Sequence, residues 1–191
     1  MQRKRLGSAG IPRTDVEVKI FDENDHELSR GDIGEIVTRS DLVMKGYWKN
    51  PEATADTLKN GWLHTGDVGY MDENDYLFIM DRSKDLIISG GENIYPREIE
   101  EILIRHPAVN EVSVVGVPDD KWGEAIKAVV VLMPGKKATE DELIAYCKDN
   151  IASYKKPKSV DFVEELPKNN YGKILKRELR ELYWKNHDKK V

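Results

Sequence analysis

Four short stretches hold side chains able to act on a small, charged molecule. In Gly61-Trp62-Leu63-His64-Thr65-Gly66-Asp67 a glycine lets the backbone turn and presents the Asp67 carboxylate at the end of a run with strand character. A carboxylate placed there can accept two hydrogen bonds from a vicinal diol such as that of a ribose, although Thr-Gly-Asp also serves as a plain turn. The second stretch, Asp81-Arg82-Ser83-Lys84-Asp85, is a dense charge cluster that a linker would share. The third, Ser89-Gly90-Gly91-Glu92-Asn93, pairs glycines that allow a ligand close to the backbone, and a tight hairpin would use them equally well. The fourth, Asn169-Asn170-Tyr171-Gly172-Lys173, puts a lysine just before the last helical pattern. A cation at the positive end of a helix is mildly unfavourable, so Lys173 reads as facing an anion or as simply exposed.

The elements that must position these stretches change in kind along the chain. Val16, Val18 and Ile20 alternate, another strand run begins at Gly34, and Tyr70, Met71 and residues 76–80 flank Asp72-Glu73-Asn74-Asp75, a polar hairpin connection. Residues 50–58, with Pro51 at a first helical position, form a short helix that Asn60-Gly61 closes as a turn. Beyond Asp81 helices and strands mix. Pro96 starts a helix with Ile99, Ile102 and Leu103 on one face, and Arg105-His106-Pro107 stops it. Residues 111–117 and 125–133 are apolar enough to pair as central strands. Thr139 and Glu142 form a capping box for a helix whose apolar face is Leu143, Ile144, Cys147 and Ile151. A strand at 160–163 follows, then a final helix from about Ile174 with Leu175, Leu179, Leu182 and Tyr183 as its buried stripe. The fold class expected is α+β: a small, antiparallel, β-barrel-like subdomain over residues 1–81, then an α+β domain over residues 82–191.

Composition narrows the function classes. Hydrophobic residues make up 39% of the 191, enough for real cores, and no apolar run approaches a membrane span. Residues 1–5 are basic with no apolar run behind them, so no signal peptide is read and a cytoplasmic location is expected. One cysteine, Cys147, and four scattered histidines give no metal site, and Cys147 falls on a core face. A net charge of -5 argues against a nucleic-acid binder. The basic excess gathers beyond Ser153, which suits a phosphate-bearing small molecule, or a solvated helix face.

Taken together, in this order and at these distances, residues 62–67, 81–85, 90–100 and Gly172-Lys173 resemble the late motifs of the adenylate-forming superfamily of acyl-CoA synthetases, luciferases and peptide-synthetase adenylation domains. The resemblance runs over essentially the whole chain. It implies that Asp67 meets the ATP ribose hydroxyls and that Arg82 supports the same nucleotide. It makes Lys84 the hinge about which the carboxy-terminal domain swings, Gly90 and Gly91 the loop beside the pantetheine of CoA, and Lys173 the catalytic lysine of adenylation. A point cation suits that last role, because negative charge gathers on the carboxylate and phosphorus in the transition state; losing one such contact costs roughly 3–4 kcal/mol. The wording of residues 62–67 and 89–96, and Tyr154-Lys155-Lys156-Pro157-Lys158, is similar to fatty-acid and aryl-acid CoA ligases, with a long- or medium-chain fatty acid as the expected substrate. Ile88 departs from the pattern: several relatives carry a polar residue there for thioester formation. Lys155, Lys156, Arg177 and Arg180 are further candidates for contact with a nucleotide phosphate.

The resemblance also implies what is lacking. The family's phosphate-gripping loop, its Tyr-Gly-x-Thr-Glu element and its acyl pocket are expected upstream of Arg3. The complete enzyme would use ATP, magnesium and CoA, whereas the 191 residues alone are expected to be inactive and to bind none of these tightly. A noncatalytic binding module, or the small half of a split enzyme docking on a separate amino-terminal chain, is the rival reading. An uncovered former interface would favour self-association.

Overall fold

A computed structural model of the chain describes residues 7–185, so the basic run at residues 1–5 lies outside the described residues. Contacts divide the chain into two compact units, one ending at Lys84 and the other beginning at Asp85; the sequence reading placed the boundary after Asp81. The α+β expectation holds, with four α-helices among the described residues and mostly antiparallel pairing.

The first unit is a curled five-stranded antiparallel sheet ordered β1 (Glu17–Phe21), β2 (Gly34–Arg39), β4 (Trp62–Met71), β3 (Leu58–Lys59), with β5 (Leu77–Arg82) also pairing β4. Alternation sends Ile20 and Ile36 to one face with Met71, and Phe21 and Val37 to the other with Trp62. The Trp62 ring takes the edge of Phe21 at 5.4 Å and the Arg39 guanidinium at 4.4 Å. Helix α1 (Pro51–Thr57) starts where the Asn50 side chain accepts the Ala53 N–H and Pro51 needs no donor partner.

In the second unit the hairpin β6 (Ile87–Ser89) and β7 (Glu92–Ile94) leads into α2 (Pro96–Leu103), β8 (Val109–Asp119), β9 (Gly123–Leu132), α3 (Glu140–Asn150), β10 (Ser159–Phe162) and α4 (Lys176–Trp184). Strand β9 is central: it pairs β8 along its whole length, β10 in parallel and β6 at one residue. Ile99, Leu103, Leu143 and Cys147 bury one face of β8 and β9, and Leu166 and Leu179 bury the other. Each large aliphatic side chain so buried contributes about 1.5–3 kcal/mol. The capping box forms, with Thr139 accepting the Glu142 N–H and Glu142 accepting that of Thr139.

Two expectations need correction. Strand β8 is not central, because β9 is its only strand partner among the described residues. Its outer edge is closed by side chains instead: Glu100 Oε1 accepts the Val114 N–H at 2.7 Å, and the Trp184 indole N–H donates to the Gly116 carbonyl at 3.0 Å. Helix α4 begins at Lys176, not near Ile174, and Leu182 is 61% exposed while Trp184 is buried. Its inward face runs through Lys176, Leu179, Arg180, Tyr183 and Trp184, since two cations on it are drawn in by acids: Lys176 to Glu100 at 2.8 Å and Arg180 to Asp85 at 3.2 Å.

Candidate active site

Asp67 and Arg82, fifteen positions apart in sequence, are direct partners across the β4–β5 ladder, and Arg82 Nε meets Asp67 Oδ1 at 2.8 Å. Both carboxylate and guanidinium are partly exposed. The ion pair occupies Oδ1 and leaves Oδ2 able to accept from a hydroxyl. Asp67 stands out from the regular ladder because β2 and β4 slip register there: Ile36 alone lies opposite Thr65, Gly66 and Asp67. Gly66 supplies the left-handed turn, at φ 69°. Thr65 Oγ1 donates to the Ile36 carbonyl at 2.7 Å and accepts the Asp67 N–H at 3.1 Å.

Lys84 is exposed, in a 3₁₀ turn (Ser83–Asp85) at the seam of the two units. Ile88 is half exposed on β6. Gly90 and Gly91 form the turn of the β6–β7 hairpin, at φ 63° and 86°. Gly90 also lies against Trp122, where an added Cβ would sit 2.5 Å from Cε3, and its N–H donates to the Trp122 carbonyl. Sequence reasoning missed Trp122. Its indole is 42% exposed and flanked by the ammonium groups of Lys121 at 4.9 Å and Lys158 at 4.6 Å. Asp119 fixes this turn by accepting the Trp122 and Lys121 N–H groups, and the Trp122 bond leads in holding its carboxyl below the usual range. Both ammonium groups lie over the ring, and that of Lys158 also faces Asp119 Oδ2 at 3.9 Å.

Lys173 is exposed and stands just before α4, as read from the sequence, in a closed loop. Asn169 makes the closure, its side chain accepting the Lys173 N–H at 3.0 Å and its N–H donating to the Lys173 carbonyl at 2.9 Å. Of the four other basic candidates, three have acidic partners within the unit: Lys155 with Glu98, Arg177 with Glu181 and Arg180 with Asp85.

The AMP-binding enzyme family matches residues 1–48 and the AMP-binding enzyme C-terminal domain matches residues 98–173. The chain belongs to the adenylate-forming, AMP-binding enzymes and contains the match to their C-terminal domain. It is 49% identical over 186 residues to a long-chain-fatty-acid–CoA ligase of Bacillus subtilis, covering 97% of this chain and 33% of that one. A feruloyl-CoA synthase of an Amycolatopsis species is 48% identical over 93% of this chain and 36% of its own length. ATP-bound MatB from Rhodopseudomonas palustris superposes with a TM-score of 0.88 at 40% identity, over 96% of this chain and 37% of that one. The chain thus spans about a third of the relatives it matches.

Proposed function

We propose that the chain is the carboxy-terminal part of an AMP-forming acyl-CoA ligase, which joins a carboxylate to ATP as an acyl-adenylate with loss of pyrophosphate, and then passes the acyl group to the CoA thiol with release of AMP. The observation that carries this reading is the similarity to such ligases along 97% of the chain. Asp67 Oδ2 would accept from the ribose hydroxyls, with Arg82 fixing the carboxylate. Lys173, held on its Asn169-closed loop, would place its ammonium on the charge that develops during adenylation. The Gly90–Gly91 turn would admit pantetheine, with Lys121 and Lys158 at the adjoining Trp122 as cations for the phosphates of CoA. Lys84 is assigned as the hinge, residues 1–81 as the last subdomain of the large domain and residues 82–191 as the mobile domain. The complete enzyme is proposed to use magnesium together with ATP. A fatty acid of long or medium chain is the proposed acyl group, and the cytoplasm the proposed location; no helix among the described residues is long and apolar enough to cross a membrane.

The test is carboxylate-dependent ATP–pyrophosphate exchange by a chimera in which this chain replaces the matching third of the B. subtilis ligase, across fatty and aryl acids. Exchange and thioester formation are expected; a folded chimera that does neither overturns the reading. A second reading, the small half of a split ligase, is favoured by the exposure of Leu42 at 70% and Trp48 at 87% in one short segment of the first unit. It requires that the 191 residues restore exchange to a separately added upstream chain.

A further inference from the structure

The bulge that turns Asp67 out of β4 is held by a pair of side chains with no part in the reaction proposed above. Glu35, on β2, divides its carboxylate between two partners on β4: Oε1 accepts the Gly66 N–H at 3.0 Å, and Oε2 lies 2.8 Å from His64 Nδ1. Its reach replaces the ladder bonds lost where β2 and β4 slip register. The His64 side chain is 8% exposed, and its ring meets the edge of Phe21. Its Nε2 is buried with no hydrogen-bond partner among the described residues and faces Asp25 Oδ1 at 3.8 Å, while Asp25 Oδ2 takes the Asn60 side-chain N–H. An ionised carboxylate can only accept, so Glu35 requires a proton on Nδ1 of His64, which fixes both the ring and the carboxylate.

We propose that Glu35, held by His64, is the positioning residue for Asp67: it sets the Thr65-Gly66-Asp67 bulge so that the carboxylate faces Arg82, and thereby sets the affinity for a ribose diol. The ribose part rests on the reading of Asp67 given above. A leaving-group or proton-transfer role is not assigned to either residue, since both act through the backbone of the bulge.

The experiment uses the 191-residue chain, labelled with 15N, as wild type, Glu35→Ala and Glu35→Gln. Amide exchange is read at Gly66 against Lys19 and Val37, partners in the neighbouring ladder, imidazole nitrogen shifts at His64, and shifts at Asp67 and Arg82 on titration with AMP. Glu35→Ala should speed exchange at Gly66 roughly tenfold or more while the ladder amides stay protected, and weaken AMP about tenfold. Glu35→Gln should keep Gly66 protected, since a carbonyl oxygen still accepts, but its amide donates to Nδ1 and so moves the His64 proton to Nε2. A purely structural role for Glu35 predicts the same change at Gly66 and His64 with the affinity for AMP unaltered. Unchanged Gly66 exchange in Glu35→Ala, or unchanged imidazole shifts in Glu35→Gln, overturns the positioning role. Failure of the ribose reading is distinguishable: in the chimeric ligase Asp67→Ala then leaves the affinity for AMP unchanged, while Gly66 and His64 of the 191-residue chain respond to the substitutions as described.

Discussion

At the residue scale, the proposed chemistry separates backbone order from side-chain freedom. The backbone of Lys173 is tied twice to Asn169, yet its side chain is exposed, as a group that must reach a ligand would be. In the chimeric ligase, Lys173→Ala should lower the rate of adenylation by about 10² to 10³, with a much smaller change in CoA-dependent steps. Asn169→Ala should lower it less, because the cation remains and only its placement suffers. Equal losses for the two variants in pyrophosphate exchange would count against Lys173 as the catalytic group.

Cys147 is the opposite case. It is fully buried in the core beneath α3, and burial pushes its thiol up to about 11. At pH 8 its alkylation by iodoacetamide should be at least roughly two orders of magnitude slower in the folded chain than in urea. Fast labelling of the native chain would remove it from the core. Cys147 was legible in the sequence from helical periodicity. Glu35 and His64 were not. Their contact joins positions 29 apart through a register slip, and neither periodicity nor local turn chemistry encodes where a ladder will slip.

At the element scale, α4 shows why periodicity fails where charge is buried in pairs. Counting only apolar residues selects Leu182 for the stripe, yet the helix turns so that Lys176 and Arg180 meet Glu100 and Asp85. No apolar count could find that face. A second contact fixes the same helix: the Tyr183 hydroxyl donates to Asp161 on β10 at 2.6 Å, and Lys127 reaches the other Asp161 oxygen at 2.7 Å. Burial works against the charge of Asp161, but the bonds from Lys127 and Tyr183 prevail and hold its carboxyl below its ordinary 3.8. Burial first, and the bond to Asp161 second, raise the Tyr183 phenol well above its ordinary 10.0.

The signs give a pH profile for the stability of α4. Asp161 contributes fully above pH 3.8 and loses its contribution as pH falls through its lower folded value. Tyr183 contributes fully below pH 10 and loses it above, where the unfolded chain ionises and the folded one resists. In urea unfolding, Tyr183→Phe should cost about 1 kcal/mol at pH 7 and flatten the decline above pH 10. An unaltered alkaline slope would show that the bond does not anchor the helix.

At the scale of the whole molecule, the seam between the two compact units falls beside Lys84, whose turn is only three residues long. The β-rich character of the first unit and the mixed character of the second were legible from alternation and helix caps. The seam itself was approached from the charge cluster at residues 81–85, whose strand part, Arg82, turned out to belong with Asp67. If Lys84 is the hinge, rotation there must change its φ and ψ, and proline fixes φ near −65° and restricts the preceding residue as well. Lys84→Pro in the chimeric ligase should therefore hold one pose. Adenylation, followed by pyrophosphate exchange, and thioester formation from synthetic acyl-adenylate plus CoA should separate, one within a few-fold of the parent and the other reduced about 10² or more. The comparison is internal to one protein, so a general loss of folding cannot imitate it. Matching losses in both half-reactions would remove the hinge from Lys84, and no loss in either would show that the reaction needs no rotation at this residue.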